Sequence, residues 1–136
     1  MKIPSRTRLL RPAFTLVEMT IVILVLLALT RVGFVSAKRM GEWKAGRAAS
    51  ETLRSVHTAQ RLFLADNPTT TVATITSAMV APYMPNNAGT VPTVKSLSGT
   101  SLAIIVNVTP PIINAGSGTR YDPSGSFTDS LWDVGE

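Results

Sequence analysis

One carboxylate, Glu18, lies near the start of a strongly apolar stretch, RPAFTLVEMTIVILVLLALT, at residues 11–30. An acidic side chain in hydrocarbon costs about 2.5–3.5 kcal/mol even on the gentler insertion scales. Thr15 precedes Glu18 by three residues, which is the spacing of a capping box at a helix start. A negative side chain in the first turn also suits the positive end of the helix dipole. A cap explains where the helix begins, but it does not explain why an acid should enter an apolar stretch.

Few other residues could do chemistry. The chain has no cysteine and one histidine, His57, which is predicted to have a surface or packing role. Residues 122–133 place oxygen-bearing side chains at alternate positions, with Asp122 first and Asp133 twelfth, as a calcium loop does. The sixth position is Phe127, however, where such a loop needs glycine. The pattern favours a plain turn with surface acids and leaves Asp122 and Asp133 as candidate calcium ligands. We expect no enzymatic activity and no other cofactor.

The formal net charge of +5 is unevenly distributed. Residues 1–13 carry four basic side chains and no acid, and residues 31–61 carry seven basic against two acidic side chains. Residues 62–136 carry two basic against five acidic side chains. The protein therefore combines a basic amino-terminal part with a mildly acidic remainder, and nucleic acid is an unlikely partner.

A long helix must position Glu18, because the chain has no proline between Pro12 and Pro68. The predicted helix runs from Phe14 to about Ala65. Three glycines near its middle either make the helix adaptable or allow another helix to approach closely; they are Gly33, Gly41 and Gly46. The second half has an apolar face at helical spacing, formed by Ala49, Leu53, Val56, Gln60, Phe63 and Leu64. Arg47, Arg54 and Arg61 share another face, which we expect to be solvated.

Residues 67–136 contain most of the prolines and glycines and predict a small β-rich domain. TSAMVAPYMP indicates one short helix ended by Pro85. SLAIIVNV (101–108) is the best strand, TVPTV (90–94) and SLWDV (130–134) are weaker strands, and NAGSGTRYDPSGSF (114–127) is turn sequence. Trp132 is predicted in the core or at a sheet edge. The fold class is α+β, with a small antiparallel sheet packed on the second half of the long helix.

An ordinary secretory signal peptide is one interpretation of the apolar stretch. The basic leader, the run Met19–Thr30 and the small residues ending at Ala37 are typical of such signals. Arg31 interrupts the segment before that site, however, and Glu18 opens it. On this interpretation the mature protein would be a small secreted or signal-anchored β-rich binding protein.

The basic leader followed by AFTLVEMTIVILVLLAL also resembles the amino-terminal segment of type IV pilins and of the pseudopilins of type II secretion systems. The similarity covers residues 6–30. It implies that a prepilin peptidase removes residues 1–13 by cutting between Ala13 and Phe14 and then methylates the amino group of Phe14. Glu18 matches the acid that the family carries four residues later. The family usually has glycine where this chain has Ala13; because alanine is the next smallest residue, we expect processing to be tolerated, and the sequence leaves open whether Ala13 slows it.

The resemblance further implies a pilin-like structural subunit that polymerises. Residues 14–37 would be the transmembrane half of the helix, 38–66 its amphipathic half, and 67–136 the exported globular domain. Glu18 would form an assembly salt bridge with the Phe14 amine of a neighbouring subunit. The implied partners are further copies, other pseudopilins, the prepilin peptidase and the inner-membrane assembly platform. The implied location is the bacterial inner membrane, with a single span and the carboxyl-terminal domain exported to the periplasm or the cell exterior. The absence of cysteine favours a pseudopilin over an adhesive pilin.

Overall fold

The computed structural model describes residues 15–85 and 88–135. The predicted leader 1–13 and the predicted cleavage residues Ala13 and Phe14 lie outside these ranges. The chain divides into two compact units, of which the first ends at Lys38 and the second begins at Arg39. Each unit is described separately below.

The predicted long helix is present as α1, Leu16–Asp66. Its end is marked by Asn67, whose backbone N–H and side-chain amide both donate to the Phe63 carbonyl at 3.0 Å. Pro68 follows and cannot continue the helix. The helix is long and apolar enough near the amino terminus to cross a membrane, judged by length and composition.

Within the first unit, the described part of α1 is exposed at every residue from 16 to 38. Apolar side chains dominate this surface. Two threonine hydroxyls form hydrogen bonds within their own helix. Thr20 donates to the Val17 carbonyl at 2.8 Å, and Thr30 donates to the Leu27 carbonyl at 2.9 Å. Such internal hydrogen bonds keep these two threonine donors from being bare on an apolar surface.

Within the second unit, α1 supplies one wall of the hydrophobic core, and the predicted apolar face is confirmed. Ala49, Leu53, Val56, Gln60 and Phe63 are buried, and Leu64 is partly buried. The Gln60 amide donates to two carbonyls of the facing chain, those of Val106 and Val108, at 2.7 and 2.8 Å. This buried amide therefore joins the helix by hydrogen bonds to residues 106–108, which directly follow a strand of the sheet region.

The segment after α1 contains the predicted short helix. A 3-10 turn at Val72–Thr74 leads to α2, Ser77–Val80, which continues as a second 3-10 turn at Ala81–Tyr83. Tyr83 packs edge-on against Phe63 with ring centroids 5.8 Å apart, and its hydroxyl donates to Asp66 at 2.9 Å. The short helix is thereby fixed to the end of α1.

Two small antiparallel sheets cover the helix face. The first pairs β1 (Val94–Lys95) with β2 (Ser101–Leu102). The second has the order β3-β4-β5, formed by Ile104–Ile105, Ile112–Gly116 and Thr119–Arg120. The described residues therefore have the predicted α+β layout of one long helix and a small antiparallel sheet region.

The prediction of a single strand at SLAIIVNV is wrong in detail. This segment forms two short strands separated by Ala103, because β2 pairs with β1 while β3 pairs with β4. The predicted strand TVPTV contributes only Val94 to β1. The chain thus changes partner in the middle of its most apolar run.

The segment predicted as turn sequence from Asn114 contains most of a hairpin. Strand β4 begins before it, at Ile112, and pairs with β5 through a two-residue turn at Ser117 and Gly118. Both turn residues have positive φ, 53° and 79°, as the tight turns favoured in hairpins require. Ile113 on β4 is fully buried, which explains why this short segment pairs.

The predicted strand SLWDV is absent, because its backbone bonds to α1 instead of to another strand. The Trp132 N–H donates to the Gly46 carbonyl at 3.1 Å, and the Val134 carbonyl accepts from Arg54 at 2.8 Å. Trp132 is in the core, as predicted, and packs edge-on against Tyr121 with ring centroids 5.2 Å apart.

Gly46 is the point of closest approach between this segment and α1. A Cβ atom at Gly46 would lie 2.7 Å from Trp132 Nε1 and 3.3 Å from Leu131 Cβ. A Cβ atom at Gly41 would meet nothing within 4 Å, and the same holds for Gly33. Gly46 therefore allows a close approach, but the approaching segment contains Leu131 and Trp132 and is not a helix as the sequence analysis expected.

We expect opposite effects from alanine at two glycines of the same helix. Gly46→Ala should lower the free energy of unfolding of the second unit by about 1–3 kcal/mol, because the added methyl group overpacks the Trp132 contact. Gly41→Ala should not lower it and should raise it by up to about 1 kcal/mol, because alanine is the better helix former. Urea unfolding of the full chain in detergent, followed by near-ultraviolet circular dichroism, measures both. Equal effects of the two variants would contradict the packing role of Gly46.

Candidate functional site

The described part of the predicted assembly site is the start of α1. The Thr15 backbone N–H donates to Glu18 Oε2 at 3.0 Å, and the Glu18 N–H donates to Thr15 Oγ1 at 3.2 Å. The Thr15 hydroxyl also lies 3.2 Å from Glu18 Oε2. These reciprocal hydrogen bonds have the geometry of a capping box.

The cap fixes the direction of the Glu18 side chain. It turns the carboxylate back towards the amino end of the helix, next to the backbone nitrogen of Thr15. Both hydrogen bonds are accepted by Oε2, and Oε1 accepts none from the described residues. Because an ionised carboxylate has about four acceptor sites, Glu18 keeps capacity for a further donor.

The surface around Glu18 is apolar and open. Leu16 and Val17 are 81% and 63% exposed, and the large apolar side chains that follow in the first unit, from Met19 to Val35, are at least 43% exposed. Contiguous apolar surface of this kind marks contact with lipid or with another protein. The capped carboxylate of Glu18 therefore lies within an apolar surface whose exposure to water is unfavourable.

A second charged cluster lies in the β-rich part of the second unit. The Arg120 guanidinium is 3.1 Å from Asp122 and 3.8 Å from Asp133. Asp122 also accepts from the backbone N–H and hydroxyl of Ser124, within the turn predicted at residues 122–125. Both candidate calcium ligands, Asp122 and Asp133, thus lie close to the same positive group, the Arg120 guanidinium. Within residues 15–85 and 88–135, no group of three or more metal-ligating side chains comes together.

Asp133 is the unusual member of this cluster. It is only 4% exposed, and neither carboxylate oxygen has a hydrogen-bond partner among the described residues. Burial raises the pKa of Asp133, the charges of Asp129 and Asp122 raise it further, and Arg120 opposes the shift. The folded second unit therefore keeps a proton on this side chain up to a higher pH than the unfolded chain does.

Arg54 has a role that sequence reasoning missed. The residue is exposed, as the sequence predicts for its face, and in addition its Nε donates to the Val134 carbonyl and its Nη2 donates to Ser130 Oγ at 2.9 Å. It therefore fastens the last described segment to α1. His57, one turn further along, is buried, consistent with packing. No local pattern marks Arg54, because its partners lie almost eighty residues away in sequence.

No protein-family model, curated protein or solved structure matches this chain. The resemblance to pilins and pseudopilins accordingly rests on residues 6–30 of the sequence itself. The observed fold has the layout expected from it.

The pH dependence of stability should change when Asp133 is replaced. Its raised pKa means that the folded state keeps a proton which the unfolded chain has already lost. The free energy of unfolding of the second unit should therefore fall as pH rises from about 4 towards the raised pKa. Asp133→Asn cannot titrate and should remove this contribution, whereas Asp129→Asn, at an exposed position, should leave most of it.

Urea unfolding of the full chain in detergent at several pH values between about 4 and 7 measures the effect. An unchanged pH profile for Asp133→Asn would contradict the assignment.

Proposed function

We propose that this protein is a structural subunit of a type IV pilus-like or type II secretion filament, made as a prepilin and polymerised through α1. The observation that carries the proposal is the capped Glu18, a carboxylate fixed at the start of an exposed apolar helix with one oxygen still able to accept. A further donor placed near that oxygen would complete the site. The proposed mechanism is polymerisation, without catalysis by the subunit.

Cleavage between Ala13 and Phe14 would supply the missing positive charge. It creates an amino group on Phe14, and methylation of that group leaves it protonatable. In a contact between apolar helices, a carboxylate without a partner is strongly destabilising, and pairing with the amine of a neighbouring copy relieves the cost. The same pairing would favour transfer of the subunit from lipid into the filament.

The distribution of charge supports the proposed orientation. Four basic residues precede the apolar segment, which favours retention of that end in the cytoplasm and export of the remainder. The second unit would then lie outside the inner membrane. The proposed partners are further copies, other pseudopilins, the prepilin peptidase and the inner-membrane assembly platform.

One observation favours a second candidate function. The second compact unit begins at Arg39. A signal-peptidase cut near Ala37 would therefore leave that unit whole as a secreted binding protein, and without the cut the same unit would be signal-anchored. The proposed filament subunit and this alternative differ in the residue that begins the mature chain.

Processing by a prepilin peptidase should convert the chain to a form that begins with methylated Phe14. Co-expression with such a peptidase, followed by mass spectrometry of the intact protein, measures the loss of residues 1–13 and the added methyl group. Ala13→Gly should be processed at least as fast, and Ala13→Leu should be processed much more slowly because the cut needs a small residue before it. A mature chain that begins at Lys38 would favour a secreted binding protein, and an intact Met1 would indicate an uncleaved anchor and contradict the proposed filament subunit.

The charge of Glu18 can be separated from its capping role. Glu18→Gln keeps a side chain that can complete a capping box but removes the charge, so it should be processed normally yet assemble at least about tenfold less well. Thr15→Ala removes the threonine hydroxyl but keeps the carboxylate, so it should lose up to about 2 kcal/mol of helix stability and still assemble. Sheared-filament yield per processed subunit is the measurement. Normal assembly of Glu18→Gln, with loss in Thr15→Ala, would mean that Glu18 is only a cap.

A further inference from the structure

The apolar part of α1 carries a second charge that the proposed pairing does not use. From residue 16 to residue 37 the charged side chains are Glu18 and Arg31, which have opposite signs. Both lie in the first unit and both are exposed. Arg31 has no hydrogen bond or ion pair within the described residues. Each is costly on an apolar surface unless it finds a partner or reaches water.

The helix geometry prevents these two residues from pairing within one chain. They are 13 residues apart, which separates them by about 20 Å along the helix axis and about 140° around it. An acid and a base on different sides of one helix can meet only when they belong to two different copies.

Resting on the proposed function, we infer that Arg31 of one copy pairs with Glu18 of a second copy in the filament. The two helices are parallel and displaced along their axes by up to about 20 Å. Residue n of one copy then lies near residue n + 13 of the other. The Glu18 carboxylate can accept from both a guanidinium and an amine, because it has two oxygens and several acceptor sites.

The placement of the two charges makes the contact directional. Each copy presents Glu18 on one side of the helix and Arg31 on another, so the contact between two copies is head-to-tail. Each copy of the pair keeps the other of these two residues available for contact with a further copy. Copies inserted in one bilayer have their Glu18 side chains at one depth and their Arg31 side chains at another. The pair therefore forms only when subunits are staggered, as in a growing filament.

A second copy is the occupant that charge complementarity selects. The other exposed side chains of residues 16–37 are uncharged, so a parallel copy offers Arg31 one acid within the apolar surface, and that acid is Glu18. A lipid phosphate could also accept from Arg31, and the experiment separates the two. A lipid phosphate would hold Arg31 at the membrane, but it would not bring any residue of one copy close to Val22 of another.

The first arm of the experiment removes the charge of Arg31. We expect Arg31→Gln to be processed and inserted normally but to give filaments at a yield lower by at least about tenfold, because Glu18 loses one of its two proposed cationic partners in an apolar contact. Arg31→Lys keeps the charge and should retain most assembly. Arg39→Gln, an exposed basic residue of the second unit, is the matched control and should assemble as the wild type does.

The second arm tests the stagger directly, using the absence of native cysteine. Val22→Cys is placed on one tagged copy and Val35→Cys, or Val32→Cys one turn nearer, on a copy of different size. Oxidation of assembled filaments should give the mixed disulfide between Val22→Cys and one of the other two. Filaments that give only same-position dimers, or no crosslink, would overturn the inference even if Arg31→Gln assembles poorly.

The two arms also distinguish failure of this inference from failure of the proposed function. If the wild type is processed and assembles while Arg31→Gln assembles normally, the Arg31 pair is wrong and the filament function stands. If the wild type is neither cleaved before Phe14 nor assembled, both are wrong.

Discussion

The second unit depends on one buried stripe of α1. Its strands are two to five residues long, and sheets of two and three such strands are not stable without a surface to cover. Leu53, Val56 and Gln60 supply that surface and are fully buried beneath the sheets. Because Gln60 also donates to two carbonyls of the facing chain, the helix fixes the position of the sheet as well as burying it. The strands and loops of the second unit can be short and irregular because the regular helix supplies the surface on which they pack.

This dependence explains which parts of the fold the sequence could predict. The apolar stripe repeats every three or four residues, so it is encoded locally and could be predicted. The strands are not encoded locally, because partners far away in the chain decide which short segments pair. Ile113 pairs because it is buried against the core, although it stands beside turn sequence. Trp132 leaves its expected strand because its backbone bonds to Gly46 on the helix.

The same distinction applies to the candidate site. Thr15 and Glu18 are three residues apart, so their spacing alone was enough to predict that they meet at a helix start. Asp133 was singled out for its position in a supposed loop, and its burial beside Arg120 could not be foreseen from that position. Arg54 is the clearest case, since only the fold reveals the distant backbone that it binds. Contacts between neighbours in sequence were predictable here, and contacts across the fold were not.

The two parts of α1 use their surfaces in opposite ways. In the second unit one face is buried and the other is solvated, so the orientation of the helix is set by its own domain. In the first unit apolar side chains are exposed all round, and such a surface gives contact area without a preferred register. Register must then come from features that break the uniformity. In the proposed filament those features are Glu18 and Arg31, since a slipped contact between apolar helices would leave one or both charges bare. The cost of an acid and a base in an apolar segment is therefore what would give this surface its specificity.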